Sequence, residues 1–336
     1  MPDRPLLLAA ALADHRPSPD PAALTARARA AERAGLDLLV IEAGPFDPLL
    51  VAARLAAQTV RIGIAPVAST TATEPFHVST ALATIDVVGR GRAGWVLTVD
   101  DPAAVRGMVT WEVPGDAAGD AAEHLDAVRA LWDSWEEGAV IRDVATDRFL
   151  DREKLHHVDL RGTHLAVRGP SITPRPPQGH PPVLVRVHDD ATLALALRDA
   201  DALMTRDPAL ARGSSGTGTT DAGSTADAAP STDRARGPLR FLELDAAPGD
   251  AEALAGRIAE EHAAGVDGVV LHAEHLEDVL ASLLPALAAA GVRPVADGPG
   301  PEPDPTGERP PLEVPRSLRE TFGLPPAPNR FAEVAA

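Results

Sequence analysis

RIGIAPVASTTATEPFHVSTALATIDVVGRGRAGW, residues 61–95, is the stretch whose reading decides the fold. Arg61–Ala65 is a short apolar run of strand type, and a Ser/Thr-rich loop follows it. A helix is expected from Glu74–Pro75, because a proline in the first helical turn gives up an N–H that would be unpaired there anyway. Gly91–Trp95 then leads into another strand. Strand, polar loop, helix and strand make one βαβ unit. The loop after the strand of such a unit is where α/β folds place their chemistry.

Working outward, the same alternation recurs. Leu6–Leu12 reads as a strand, and Pro21–Ala34 as a helix stopped at Gly35. Leu36–Glu42 is an almost continuous apolar run of the kind buried on both faces, and Asp47–Ala57 is the next helix. Ala121–Trp135 carries Leu125, Val128, Leu131 and Trp132 at helical spacing. Later strands are expected at Val183–Val187, Ala202–Thr205, Leu239–Leu244 and Gly268–His272, with helices at Ala191–Asp199, Ala251–Ala264 and Leu276–Ala290. Eight strands in alternation with helices predict a (β/α)8 TIM barrel over residues 1–296.

Three segments depart from the rhythm. Residues 138–182, between strands four and five, hold short alternating pieces at His156–Leu160 and His164–Arg168 and predict a hairpin-bearing insertion. Residues 207–237 include GSSGTGTTDAGSTADAAPSTDRARG, which has no apolar face to bury, so a disordered low-complexity linker is expected in place of helix six. Residues 297–336 form a Pro-rich tail with one helical fragment near Arg316–Phe322. Its Leu312, Leu318, Phe322 and Leu324 are expected to pack on the barrel or on a partner subunit.

Composition narrows the function classes. A net charge of −18 argues against nucleic-acid binding, which needs a basic surface. Absence of any apolar run near twenty residues argues against a membrane span. The opening MPDRPLLLAAALADHRP reads as a first strand rather than a signal peptide, and with no cysteine in the chain a cytoplasmic location is expected. The lack of cysteine also excludes disulfides, thiolate metal sites and a cysteine nucleophile.

In a barrel the candidate residues lie at the carboxyl ends of the strands. Ser69, Thr70 and Thr71 offer hydroxyls to a polar ring edge, or satisfy the backbone of their own loop. His77, in the first turn of the third helix, either reaches the mouth or bonds nearby backbone. Trp95 reads as a core residue more than as a stacking platform. His188, Asp189, His272, Glu274 and His275 follow strands five and eight with ligand-type side chains, but at no metal-motif spacing; solvated loop residues are the simpler account. Gly-rich phosphate loops, nucleophile elbows and His-Glu-x-x-His helices are absent.

STTATEPFHVSTALATIDVVGRGRAGW resembles the signature of bacterial luciferase-like flavin monooxygenases, in the branch of the nitrilotriacetate and dibenzothiophene-sulfone monooxygenases. The likeness continues through Arg129–Arg186 and resumes in RSLRETFGLPPAPNR, Arg316–Arg330. This resemblance implies a (β/α)8 barrel that uses reduced FMN, supplied by a separate flavin reductase, and O2 to oxygenate a small organic substrate. It also implies pairing as a homodimer through helices two and three.

Carried over position by position, the resemblance implies Ser69 and Thr70 as flavin contacts, with His77 a further contributor. The carboxylate after strand two falls near Ala43, where the adjacent acid is Glu42. Val96 stands where the branch has a flavin-contacting Asn, and GDAAGDAAEH replaces a His-x-x-Arg-Tyr segment in a chain without tyrosine. His188–Asp189–Asp190 replaces a small turn that meets the phosphate, and two carboxylates there would repel a dianion. Two functions therefore stand at this point: an FMN-dependent monooxygenase, and a non-catalytic barrel that has lost flavin binding.

Overall fold

The computed structural model describes residues 5–13, 19–213, 237–293 and 316–332. Eight parallel strands close into a barrel: β1 (Leu7–Leu12), β2 (Leu38–Ile41), β3 (Gly63–Ser69), β4 (Trp95–Thr98), β9 (Val183–Arg186), β10 (Ala202–Thr205), β11 (Leu239–Asp245) and β12 (Gly268–His272). Around the barrel they run β1-β12-β11-β10-β9-β4-β3-β2. Helices follow the strands: α1 (Pro21–Arg33), α2 (Pro48–Gln58), α3 (Pro75–Gly89), α4 (Pro102–Val105), α5 (Ala117–Asp133), α6 (Asp190–Asp199), α7 (Pro208–Ala211), α8 (Ala251–Ala263) and α9 (Leu276–Ala289).

Local chemistry sets where these helices begin. Asp20, Asp47, Asp101, Asp116, Asp189 and Asp207 each cap a helix with the side-chain carboxylate, and four of those helices also have Pro in the first turn. α3 starts differently, with Glu74 at the cap making no side-chain bond and Pro75 at the first position. None of the described helices is long and apolar enough to cross a membrane.

The predicted insertion holds two hairpins, β5 (Val140–Asp143) with β6 (Arg148–Leu150) and β7 (Leu160–Arg161) with β8 (Ala166–Val167). The third strand differs from expectation. It continues to Ser69 because Val67, Ala68 and Ser69 pair with Val96, Leu97 and Thr98. Ser69 is therefore the last residue of a strand rather than part of a free loop. The predicted linker is described only as far as the single turn of α7 and Gly213; residues 214–236 lie outside the described residues, as does Leu312 in the tail.

Two apolar layers hold the barrel. The outer one packs strands against helices through residues such as Leu39, Leu55, Leu82, Leu97 and Leu271. The inner one fills the lumen with Ala9, Val40, Ala65, Val96, Met204 and Phe241. A final helical turn, α10 (Leu318–Thr321), seals the amino-terminal end of this lumen with Leu318 and Phe322. A Cβ added to Gly63 or Gly94 would lie 2.6 or 2.8 Å from Leu318, so glycine at these two strand starts makes room for the plug. Phe322 meets Phe241 with ring centroids 5.6 Å apart. The tail continues back to α5, where buried Asp133 bonds His180 at 2.8 Å, pairs with Arg175, and receives Arg330 at 3.4 Å.

Candidate functional site

At the carboxyl ends of β2, β3, β4 and β9 lies a cleft of about 400 Å3 lined by twelve residues. Val67, Ala68, Leu49 and Pro48 give it apolar walls, while Ser69, Thr73 and Thr98 give it hydroxyls. Its charged lining is Glu42, Asp47, Asp100 and Arg186.

The Ser/Thr segment is tightly built. Ser69 Oγ accepts N–H bonds from Thr71 (3.1 Å) and Ala72 (3.2 Å), which leaves its own proton available to donate into the cleft. Thr70 is buried, donating its N–H and its hydroxyl to the Thr98 carbonyl. Thr71 Oγ1 donates to the Asp100 carbonyl and accepts the Asp100 N–H at 3.2 Å. Trp95 Nε1 donates to the Ala68 carbonyl at 3.0 Å, and His124 packs against Trp95 at 5.9 Å. Burial holds the His124 pKa down at about 3 despite its hydrogen bond to the Thr70 backbone, so the imidazole is neutral; its Nε2 has no hydrogen-bond partner among the described residues.

Across the mouth runs a chain of charges. Arg186 grips Glu42 with two bonds, 2.6 and 3.0 Å, and donates to Glu243 at 2.9 Å. Glu243 in turn meets His272 Nε2 at 3.2 Å. Burial pushes the Glu243 pKa up, but the His272 hydrogen bond and the Arg186 charge outweigh it and leave the carboxyl below its ordinary range. Burial disfavours the Arg186 cation, yet Glu42 and Glu243 raise its pKa above the usual value. Glu42, Glu243 and His272 bring ligand atoms within 4.8 Å of one another. The Arg186 guanidinium already bridges the two carboxylates, so a metal cation there would have to displace it.

The sequence candidates fall in different places. Ser69 and Glu42 line the cleft. Thr70 lies beneath it, with its hydroxyl turned to β4. Val96 is fully buried in the lumen one inward-facing position below Thr98, and His77 is exposed on α3 outside the cleft lining. Of the five ligand-type residues, His272 alone enters the charge chain. Asp189 caps α6 by accepting the Thr192 N–H at 2.8 Å, while Glu274 and His275 are exposed. Thr98, Asp100 and Arg186 fall within the strand ends that the sequence marks, Val96–Asp100 and Arg186–Asp189, but were given no role there, and Glu243 lies outside those ends. Strand parity was the available signal for Glu243, because Leu239, Phe241 and Glu243 alternate onto one face of β11.

A closed parallel barrel with a mixed polar and apolar cleft at its carboxyl mouth defines a (β/α)8 protein of the ligand-handling kind. The sequence model of the family described as Luciferase-like monooxygenase matches residues 6–215, and the chain belongs to that family. It is 34% identical over 205 residues to N-acetyl-S-(2-succino)cysteine monooxygenase of Bacillus subtilis, a match covering 53% of this chain and 44% of the relative. It is 37% identical over 171 residues to nitrilotriacetate monooxygenase component A of Aminobacter aminovorans, covering 50% and 38%. It is 40% identical over 142 residues to dibenzothiophene-sulfone monooxygenase of Rhodococcus erythropolis, covering 41% and 31%. The chain thus spans less than half the length of these relatives. Among solved structures, riboflavin lyase with modified FMN and substrate riboflavin superposes with a TM-score of 0.73 at 18% identity, covering 95% of this chain and 96% of that one. EDTA monooxygenase from Chelativorans sp. superposes at 0.68 and 17%, covering 96% and 99%. These two likenesses concern the fold.

Proposed function

We propose that this chain is a flavin-dependent monooxygenase that holds a reduced flavin in the cleft of β2, β3, β4 and β9 and oxygenates a small organic substrate. The observation that carries it is the cleft itself: apolar walls from Val67, Ala68 and Leu49 with a hydroxyl donor at Ser69, placed at the mouth of a luciferase-like barrel. This donor set suits a flat ring with polar edges. When bound, the flavin supplies the electrons and the activation of O2. Ser69 donates to the ring edge, the Thr70 and Thr71 bonds fix where Ser69 sits, and the Glu42–Arg186 pair closes the side of the site.

FMN delivered by a separate reductase is the form that the family resemblance implies. The cleft's ring-facing residues suit it; the carboxylates around the rim do not suit its phosphate. Homodimer formation belongs to the same proposal, supported by the exposed apolar residues Leu50 on α2 and Val87 on α3.

The test is anaerobic and aerobic titration with oxidised and reduced flavins, read by absorbance and fluorescence. Saturable binding, weakened by Ser69→Ala and further by the double Ser69→Ala, Thr70→Ala change, supports the reading. No binding of any flavin in either redox state sinks it. The barrel would then be a non-catalytic scaffold, as Val96 and the missing tyrosine suggest.

A further inference from the structure

The charged lining of the cleft is mostly acidic. Three of the four charged residues lining the cleft are carboxylates, Glu42, Asp47 and Asp100. The fourth, Arg186, is engaged by Glu42 at 2.6 Å and Glu243 at 2.9 Å. Arg206, just past β10, is held in turn by Asp245 at 3.0 Å.

Backbone donors at four helix starts are partly committed in the same way. Helix starts that follow barrel strands open on the mouth, and their free N–H groups are ordinarily good anion receptors. Here Asp47 accepts from Leu49 N, Asp101 from Ala103 N, Asp189 from Thr192 N and Asp207 from Ala209 N, each at 2.8 Å. At these four starts the chain's own carboxylate takes one N–H and sets a negative charge beside the others, whereas α3, α8 and α9 begin without a side-chain cap. A net charge of −18 adds a long-range term of the same sign.

We propose that this mouth admits the ring and the uncharged polyol chain of a flavin but disfavours a terminal phosphate, so that riboflavin binds more tightly than FMN. The inference rests on the flavin reading above and names the form of the ligand that the site prefers. A phosphomonoester brings a charge of about −1.5 to −2 near neutral pH. Set against Asp47 and Asp100 at a partly solvated rim, that charge is expected to weaken FMN by at least roughly tenfold relative to riboflavin. Salt shields exposed charges, so the preference has to shrink as ionic strength rises.

The experiment is a fluorescence-quenching titration of the full chain with riboflavin and with FMN, at low and at high salt. It is repeated on Asp100→Asn and on the double Asp47→Asn, Asp100→Asn variant. Asparagine still caps a helix, so α2 keeps its start. The expected result is a riboflavin preference of at least about tenfold at low salt. That ratio should fall toward one at high salt and in the double variant. Equal or tighter FMN binding overturns the preference and leaves the flavin reading standing. A riboflavin preference indifferent to both salt and the Asp variants also overturns it, because the selection would then be steric. No binding by either flavin removes the inference together with the reading beneath it.

Discussion

The Asp86–Trp95 segment and the charge chain across the mouth both set polar side chains into apolar strands and helices, with opposite outcomes. Asp86 is fully buried and accepts from Gln178 N (3.0 Å), Gln178 Nε2 (2.6 Å) and Ala93 N (3.1 Å). Arg92, 2% exposed, donates to the carbonyls of Ala56, Thr59 and Ile62 and to Thr59 Oγ1. Here the Asp86 carboxylate and both Arg92 terminal nitrogens are bonded to protein and closed to water. At the mouth, Glu42, Arg186 and His272 keep 17–23% of their side chains exposed. A closed polar network specifies a packing arrangement; an open one leaves capacity for a ligand. The signature in residues 61–95 thus gives scaffold at Asp86 and Arg92 and one wall of the cleft at Val67–Ser69 and Thr73, while the charges across the mouth come from elsewhere.

The contrast can be broken most forcefully at Arg92. Arg92→Met strips four buried acceptors of their donor and is expected to cost about 3–5 kcal/mol, read as a large drop in the urea midpoint. A wild-type midpoint would refute the scaffold role. Leu318→Ala empties part of the plug under β3 and β4 and should cost about 2–4 kcal/mol in the same assay. Arg186→Met leaves Glu243, 5% exposed, without its cation, at a smaller cost of about 1–3 kcal/mol. A loss at Arg186 larger than at Arg92 would reverse the distinction between the two regions.

Acid sensitivity offers a finer probe. His124 has an ordinary pKa of 6.5 and one of about 3 when folded, so between those values the unfolded chain binds a proton that the folded chain refuses. Stability is therefore lost as pH falls through that window, by up to about 1.4 kcal/mol per pH unit. His124→Phe should flatten the fall in urea midpoint between neutral and mildly acidic pH. Asp86 works in the opposite sense, since burial raises its pKa to about 6 against the Gln178 and Ala93 donors; its contribution is lost as pH rises through that value and is common to both proteins. The smallest effect is expected at exposed His77, where His77→Ala should shift stability by less than about 0.5 kcal/mol.

Much of the architecture was legible because period and punctuation are local properties. Buried strands, the proline-started helices α1 and α3 and the hairpin near His156–Arg168 follow from residues within one short window, whereas the β5–β6 hairpin and the single turns α4 and α7 carry no such pattern. The third strand ran past its predicted end because pairing with Val96–Thr98, a non-local term, extended it through Ser69. The mouth was harder to read for the same reason. Arg186 meets Glu42 across 144 residues of sequence and Glu243 across 57, and Glu243 meets His272 across 29. Strand parity tells which face a residue takes, but barrel closure decides which residues meet across the lumen.

Leu318 and Phe322 also carry a consequence for biosynthesis. They seal a floor whose first wall begins at Leu7, so the lumen cannot be completed until a late part of the chain has left the ribosome. Until then Ala65, Val96 and Phe241 lack the apolar floor that covers that end of the lumen, and exposed apolar surface of this kind favours aggregation.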